Sequence, residues 1–426
     1  MSISVPVPGD AAHLAVERER LLAFAEGARH PLGFGWLDED GRLDPSHPVE
    51  LYITCRMTHV MSLGVLLGRS GTVALAEHGV TSLAGPLRDT DHGGWYPAVT
   101  DEGPADTTKA AYGHAFVVLA ASSASVAGVP GAPELLAAAL TVSEQHFWDD
   151  AAGMVVEEWD DAWHRLDPYR GMNANMHTVE AYLAAADVTG DARWARRAGR
   201  IAATLVARAE PNGWRIPEHF DATWRPLLDY NRDVPADPFR PFGSTVGHAL
   251  EWSRLLAGVD ATLRSLGEEC PPGLLHAAVA LFDRAVADGW AADGADGFVY
   301  TTDWSGQPIV RARMHWVLAE AVGAAATLHH VTGQARYLDL YRQWWAYADR
   351  YLIDRDGGSW HHELDPQNRP AGTVWPGKPD VYHAFQATLL PLLAPVPTLA
   401  TALTPAVVAG LDVAGLDVAR PDAAGR

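Results

Sequence analysis

Apolar residues recur along this chain with the period of one helix face, and the segments that carry the pattern come in pairs. The first member of each pair is apolar on most sides. Examples are CRMTHVMSLGVLLG (55–68), AAYGHAFVVLAASS (110–123), NANMHTVEAYLAAA (173–186) and RARMHWVLAEAVGAA (311–325). The second member keeps one apolar stripe and a charged remainder, as in ELLAAALTVSEQHFW (134–148), ARWARRAGRIAATLVARA (192–209), LLHAAVALFDRAVADGW (274–290) and ARYLDLYRQWWAYADRYL (335–352). A helix that is apolar all round is buried, and an amphipathic one covers it. The pattern therefore predicts an inner and an outer helix in each unit.

The pairs belong to a repeat. VTGDARWARRA (188–198) matches VTGQARYLDLY (331–341), with Gly190 and Gly333 at the left-handed position that ends a helix and Asp191 placed to cap the next one. Each inner segment carries a histidine near its start: His59, His114, His177, His248, His315 and His383, spaced 55 to 71 residues apart. Gly- and Trp-rich stretches between units, such as DHGGWYPAV and DDAAGMVVEEW, read as short hairpins. With helices over 12–28 and 72–84 the count reaches about twelve. The expected fold is all-α, an (α/α)6 barrel with β-hairpins in its loops. One catalytic domain is expected over 1–395, followed by an Ala/Pro-rich, poorly ordered tail over 396–426.

Composition narrows the functional classes. The chain has 426 residues, 48% hydrophobic, enough for a large core, and its net charge of −21 argues against a nucleic-acid partner. Cys55 and Cys270 are its two cysteines and make no disulfide framework. The N-terminal stretch lacks the basic and apolar regions of a secretory signal, and no apolar run is long enough to span a bilayer. A cytoplasmic protein, monomer or homodimer, is expected.

Inner helices of a closed ring converge on one axis, which makes their histidines candidates for a small-molecule pocket. Their company separates them. His177 precedes Glu180, and His248 precedes Glu251, each by one helical turn, a spacing that lets a carboxylate orient an imidazole. His383 lies in GKPDVYHAFQ beside Lys378, Asp380 and Gln386. His59 and His114 have apolar surroundings and are expected to be structural, while His315, between Arg313 and Trp316, is open to either role. Arg56 is a rare cation in an apolar inner helix and must be paired or face a cavity. Trp95, Trp316 and Trp375 offer flat faces for a sugar ring. The His-x-x-Glu order differs from the Glu-x-x-His of di-iron bundles, and H-E-x-x-H, G-x-G-x-x-G and Walker motifs are lacking, so neither metal nor cofactor is expected.

NANMHTVEA (173–181), GHALEW (247–252) and GKPDVYHAFQATLLP (377–391) resemble the N-acylglucosamine 2-epimerase superfamily, in the branch that holds mannose isomerases and sulfoquinovose isomerase. The resemblance covers roughly residues 15 to 395 and implies the same (α/α)6 barrel. It implies metal-independent proton transfer on an open-chain monosaccharide through a cis-enediol, interconverting mannose and fructose, with lyxose and xylulose as a side pair. His248 and His383 take the catalytic positions. Glu251 is implied to orient His248, Arg56 and His177 to polarise oxygens near C1 and C2, and Asn173 and Trp316 to hold the substrate. Tyr112, Asp380 and Gln386 complete the implied binding set. Sulfoquinovose needs a cation for its sulfonate. Arg240 could supply one, but His361 and His362 stand where an amide is expected, which favours mannose. The alternatives are a sugar 2-epimerase, an (α/α)6 glycosidase using acids such as Glu158, Asp160 and Glu218, and a non-catalytic carbohydrate-binding ring.

Overall fold

A computed structural model describes residues 7–413. It is mostly helical, with small two- and three-stranded sheets. The helices, in chain order, are α1 (Ala11–Ala25), α2 (Leu51–Leu66), α3 (Thr72–Ala84), α4 (Ala111–Val126), α5 (Ala132–Val142), α6 (Met172–Thr189) and α7 (Ala192–Ala209). They continue as α8 (Val246–Ser265), α9 (Leu274–Gly289), α10 (His315–Thr332), α11 (Ala335–Tyr347), α12 (Tyr382–Ala387), α13 (Leu399–Ala402) and α14 (Pro405–Val413).

The two hydrophobic patterns become two kinds of helix. In α2 every residue from Leu51 to Gly64 is buried. In α7 only one stripe is covered, including Trp194, Ala198, Ile201 and Leu205 at helical spacing. Each inner helix packs on its outer partner: α2 on α3, α4 on α5, α6 on α7, α8 on α9 and α10 on α11. The inner helices also pack in succession, α2 on α4, α4 on α6, α6 on α8, α8 on α10 and α10 on α12, and α12 in turn touches α2. Gly190 and Gly333 end α6 and α10 with φ of 69° and 67°, and the Asp191 side chain caps α7 by accepting from Arg193 N.

The hairpins fix which end of the molecule holds the site. A two-residue strand stands immediately before each of α2, α4, α6, α8 and α10, and each pairs antiparallel with a strand from the loop that follows the next outer helix. Arg170–Gly171 before α6, for example, pairs with His219–Phe220 after α7. This stitching sets the N-terminal ends of the inner helices among the hairpins. One such strand residue, Lys109, is fully buried and donates to Asp89 at 2.8 Å.

The last histidine helix is only α12, six residues, because a 3-10 turn at Leu390–Leu392, with Pro391 inside it, takes over the chain. The expected tail from 396 starts with the short helices α13 and α14. Ala400, Ala402 and Leu403 are buried, and α13 packs on α2, α4 and α6 at the end away from the hairpins. The rest of that expected tail, 414–426, lies outside the described residues. Among the described residues no helix is long and apolar enough to cross a membrane.

Candidate active site

The first two turns of the inner helices line a pocket of about 650 Å³. Arg56 comes from α2, Tyr112 from α4, Asn173 and His177 from α6, His248 and Glu251 from α8, His315 and Trp316 from α10, and His383 from α12, with Asp380 in the loop before α12. Of the ten residues expected to form the site, nine line this pocket; Gln386 does not. Gln386 is buried one turn below His383, with both side-chain amide atoms unpartnered.

Two imidazoles face each other across Trp316. The ring centroids of His248 and His383 lie 5.4 and 5.8 Å from that of the indole, each tilted by 38°. Val317 and the indole lie so near the backbone of α8 that a Cβ at position 247 would fall 2.3 Å from the Trp316 ring, which accounts for Gly247 there. His248 Nδ1 is 3.0 Å from Glu218 Oε1, and His383 Nδ1 is 2.9 Å from Glu320 Oε1. A carboxylate at Nδ1 accepts from the N–H there, which fixes the proton on Nδ1 and leaves Nε2 as the nitrogen free for the pocket. Burial, followed by the Arg56 charge, pushes the His383 imidazole well below its usual value, so it stands neutral and able to accept a proton.

On the opposite wall, Arg56 Nη1 donates to Asp380 Oδ2 at 3.0 Å and Nη2 to the Tyr112 hydroxyl at 3.0 Å. Burial pushes the Asp380 carboxyl up, but the Arg56 charge, together with the Tyr382 N–H donating to Oδ1, overcomes it and holds the group below the usual carboxylate range. His177 packs against Phe116 and Tyr112 with its Nδ1 unpartnered, 3.7 Å from Glu251 Oε1. Burial and the neighbouring Glu320 push the Glu251 carboxyl well above its usual value, against the opposing charge of Arg254.

The carboxylate partners differ from those expected. Glu251 does not orient His248; Glu218, a hairpin residue considered for a glycosidase pair, does. One turn further along α8, Glu251 sits deeper than His248 and meets His177 and Arg254 instead. Glu180 likewise leaves His177 and accepts from the Tyr382 hydroxyl, with Arg254 at 3.5 Å. Lys378 is tied to Asp354 and to the carbonyls of Glu39 and Gly358, outside the pocket. Trp95 is fully buried and donates to Leu83 O, so it packs and offers no face, whereas Trp375 does line the pocket. Arg240 lines an adjoining groove, 4.2 Å over the Tyr169 ring and 3.9 Å from Glu158.

His59 and His114, expected to be structural, do not line this pocket. His59 Nδ1 meets Ser123 Oγ at 2.7 Å, and His114 bonds Ala110 O and Trp95 N. His315 lines the pocket stacked on His362, 3.7 Å between ring centroids. His362, weighed only as an argument against sulfoquinovose, lines the pocket, and Glu320 and Arg254 were not expected. For the last two the available signal was a charged residue inside an apolar inner segment, HWVLAEAVGAA and GHALEWSRLL. His177, Glu180 and Glu251 form one group of metal-capable donors, and Glu251, Glu320 and His383 another. The Arg254 guanidinium already lies among the three carboxyls of both groups.

So many buried imidazoles make stability depend on pH. Burial pushes His59 and His315 down to about 4 and His114 to about 3, from the 6.5 of a free imidazole. Between these values the unfolded chain binds more protons than the folded one, so stability rises with pH there and is lost on acidification. Burial raises Glu50 and Glu157 to about 7 from 4.5, and their contribution runs the other way, falling as the pH rises toward 7. The imidazoles outnumber them, since His177, His362 and His383 are pushed down too. Thermal melts are therefore expected to show a falling midpoint from pH 6.5 towards 4; a flat profile would contradict the burial of these rings.

The sequence profile of the N-acylglucosamine 2-epimerase (GlcNAc 2-epimerase) family matches residues 33–387. The chain is 55% identical over 396 residues to a D-mannose isomerase of Thermobifida fusca, covering 92% of this chain and 96% of that one. It is 48% identical to a D-mannose isomerase of Pseudomonas cannabina pv. alisalensis, covering 94% and 95%. Among solved structures, a crystal structure of D-mannose isomerase superposes with a TM-score of 0.84 at 28% identity, covering 91% of this chain and 99% of that one. By sequence, over nearly its whole length, and by the arrangement of its helices, this chain belongs to the N-acylglucosamine 2-epimerase family.

Proposed function

We propose that this protein is an aldose–ketose isomerase that interconverts D-mannose and D-fructose. The observation that carries this reading is the pair of imidazoles, His248 and His383, each with Nδ1 on its own carboxylate and each against Trp316. The similarity to two D-mannose isomerases supports the choice of sugar. The succession of inner helices from α2 to α12, with α12 against α2, supports an (α/α)6 barrel formed as one catalytic domain.

In this reading one imidazole Nε2 removes the proton at C2 of the open-chain aldose. The C–H electron pair becomes the C1–C2 double bond, and the aldehyde oxygen gains a proton, giving a cis-enediol. The O2 hydroxyl then loses its proton as the C2 carbonyl forms, and C1 accepts a proton, completing the ketose. Imidazoles suit both steps because the same group can accept and donate near neutral pH. Arg56, already paired with Asp380 and Tyr112, presents its charge to the oxygens that carry the developing negative charge. His177 and Asn173 bind on the same wall, and Trp316 holds the carbon chain.

Incubation with mannose in heavy water tests this reading. Fructose carrying deuterium at C1 is the expected product. Glucose without fructose would make the protein a 2-epimerase, and release of sugar from a glycoside would make it a glycosidase.

A further inference from the structure

We infer that Arg254 is a positioning residue for this isomerisation: its guanidinium is a built-in cation that holds the carboxylates behind His383 and His177. The inference rests on His383 exchanging protons with substrate. Arg254 lies on α8 below His248, is buried, and does not line the substrate pocket. Its Nε donates to Glu320 Oε2 at 3.0 Å, and its Nη1 and Nη2 lie 3.5 and 3.8 Å from Glu180 and Glu251.

Each of these three carboxyls, from α6, α8 and α10, turns toward a different group. Glu320 presents its other oxygen to His383 Nδ1 at 2.9 Å. Glu180 accepts from the Tyr382 hydroxyl, next to His383 in the chain. Glu251 faces His177 Nδ1 at 3.7 Å. One guanidinium therefore sits where three acids converge, a grouping in which the donor atoms of Glu251, Glu320 and His383 lie within 4.8 Å of one another.

Without a cation, acids this close and this buried repel, and they swing apart or take up protons. Either outcome changes the group facing His383. When His383 Nε2 takes the C2 or C1 proton it becomes an imidazolium, and a Glu320 carboxylate held in place at Nδ1 stabilises that charge. Arg254 keeps Glu320 turned toward the ring. Its effect on the chemical step runs through Glu320, since Arg254 itself does not line the substrate pocket.

The test is a double-mutant cycle read in kcat and KM for mannose. Arg254→Met is expected to lower kcat on the order of 10- to 100-fold, the range found when the partner of an active-site ligand is removed, while leaving KM near the parent value. Glu320→Gln is expected to lower kcat similarly, and Arg254→Met added to it is expected to cost less than about twofold more, because the two act through one contact. Arg254→Lys keeps the charge without the planar fork and is expected to fall between the parent and Arg254→Met. Unchanged kcat in Arg254→Met, a loss confined to KM, or additive losses in the cycle would each overturn the inference. If Arg254→Met does not fold, as judged by circular dichroism, Arg254→Lys with and without Glu320→Gln supplies the same cycle, and additivity there overturns it equally. His383→Asn serves as the control. Full activity in that variant removes the reading of His383 itself, whereas its inactivity beside a fully active Arg254→Met removes only the role of Arg254.

Discussion

His383→Asn and His248→Asn are each expected to lower kcat for mannose by about 10³-fold, within the 10²–10⁴ that positioned proton transfer contributes. Asparagine suits the test because its amide nitrogen can still donate to Glu320 or Glu218, so the carboxylate keeps a partner while Nε2 is lost. Steady-state kinetics measures the size of the loss. Exchange of the C2 proton of mannose and of the C1 protons of fructose with heavy water then assigns the step. A variant lacking the acceptor at one carbon loses exchange there and keeps it at the other. If either variant retains kcat within about threefold, that imidazole is no proton carrier and the assignment fails.

The largest effect on stability is expected from Lys109→Met, at about 3–5 kcal/mol, the cost of leaving one member of a buried ion pair alone. Lys109 and Asp89 are both fully shielded from solvent, 2.8 Å apart, and the ammonium lies 4.5 Å over the Tyr96 ring. Burial works against the Asp89 charge. Lys109 and the backbone N–H groups of His92 and Asp91 overcome it and hold the carboxyl well below its usual range. The pair joins the loop after α3 to the strand that introduces α4, so its loss acts on the end of the molecule that carries the pocket. Urea unfolding measures the change. Asp89→Asn in the same chain is expected to recover part of it, because no unpaired charge then remains. A loss under about 1 kcal/mol for Lys109→Met would show that water reaches Asp89.

Much of the helical architecture was legible in the sequence, because helix period and histidine spacing are local signals that packing then obeys. α7, with its single apolar stripe, and α2, apolar all round, fall where that pattern puts them. The site was legible residue by residue but not in its pairings. A local reading joins His248 to Glu251 and His177 to Glu180, one turn along the same helix. The bonds that form are His248 to Glu218, 30 residues away, and His383 to Glu320, 63 residues away. Such partners arise from the packing of neighbouring inner helices and hairpins, which spacing within one helix does not encode. Regular spacing also overstated the likeness of the six histidines. His315 is the first residue of α10 and His383 the second of α12, both at the pocket, while His59 is the ninth of α2 and lies two turns deeper, against Ser123. Gln386 failed for a related reason: one helical turn carried it from the pocket wall into the packed interior.

Contacts near the pocket and behind it join the two ends of the chain. Arg56 meets Asp380 across 324 residues, and Arg18 donates to the carbonyl of Thr388 across 370. A ribosome adds about 5–20 residues per second, and domains begin to fold from the N-terminal side. α2, α4 and α6 can therefore be packed while the polypeptide is still tethered, yet Arg56 has no Asp380 and Glu320 has no His383. A nascent chain that stalls before residue 380 can hold the His248–Glu218 pair but has neither Asp380 for Arg56 nor His383 for Glu320. If His383 carries a proton as proposed, catalysis is a late event of biosynthesis, and a chain that ends before residue 383 is expected to be inactive.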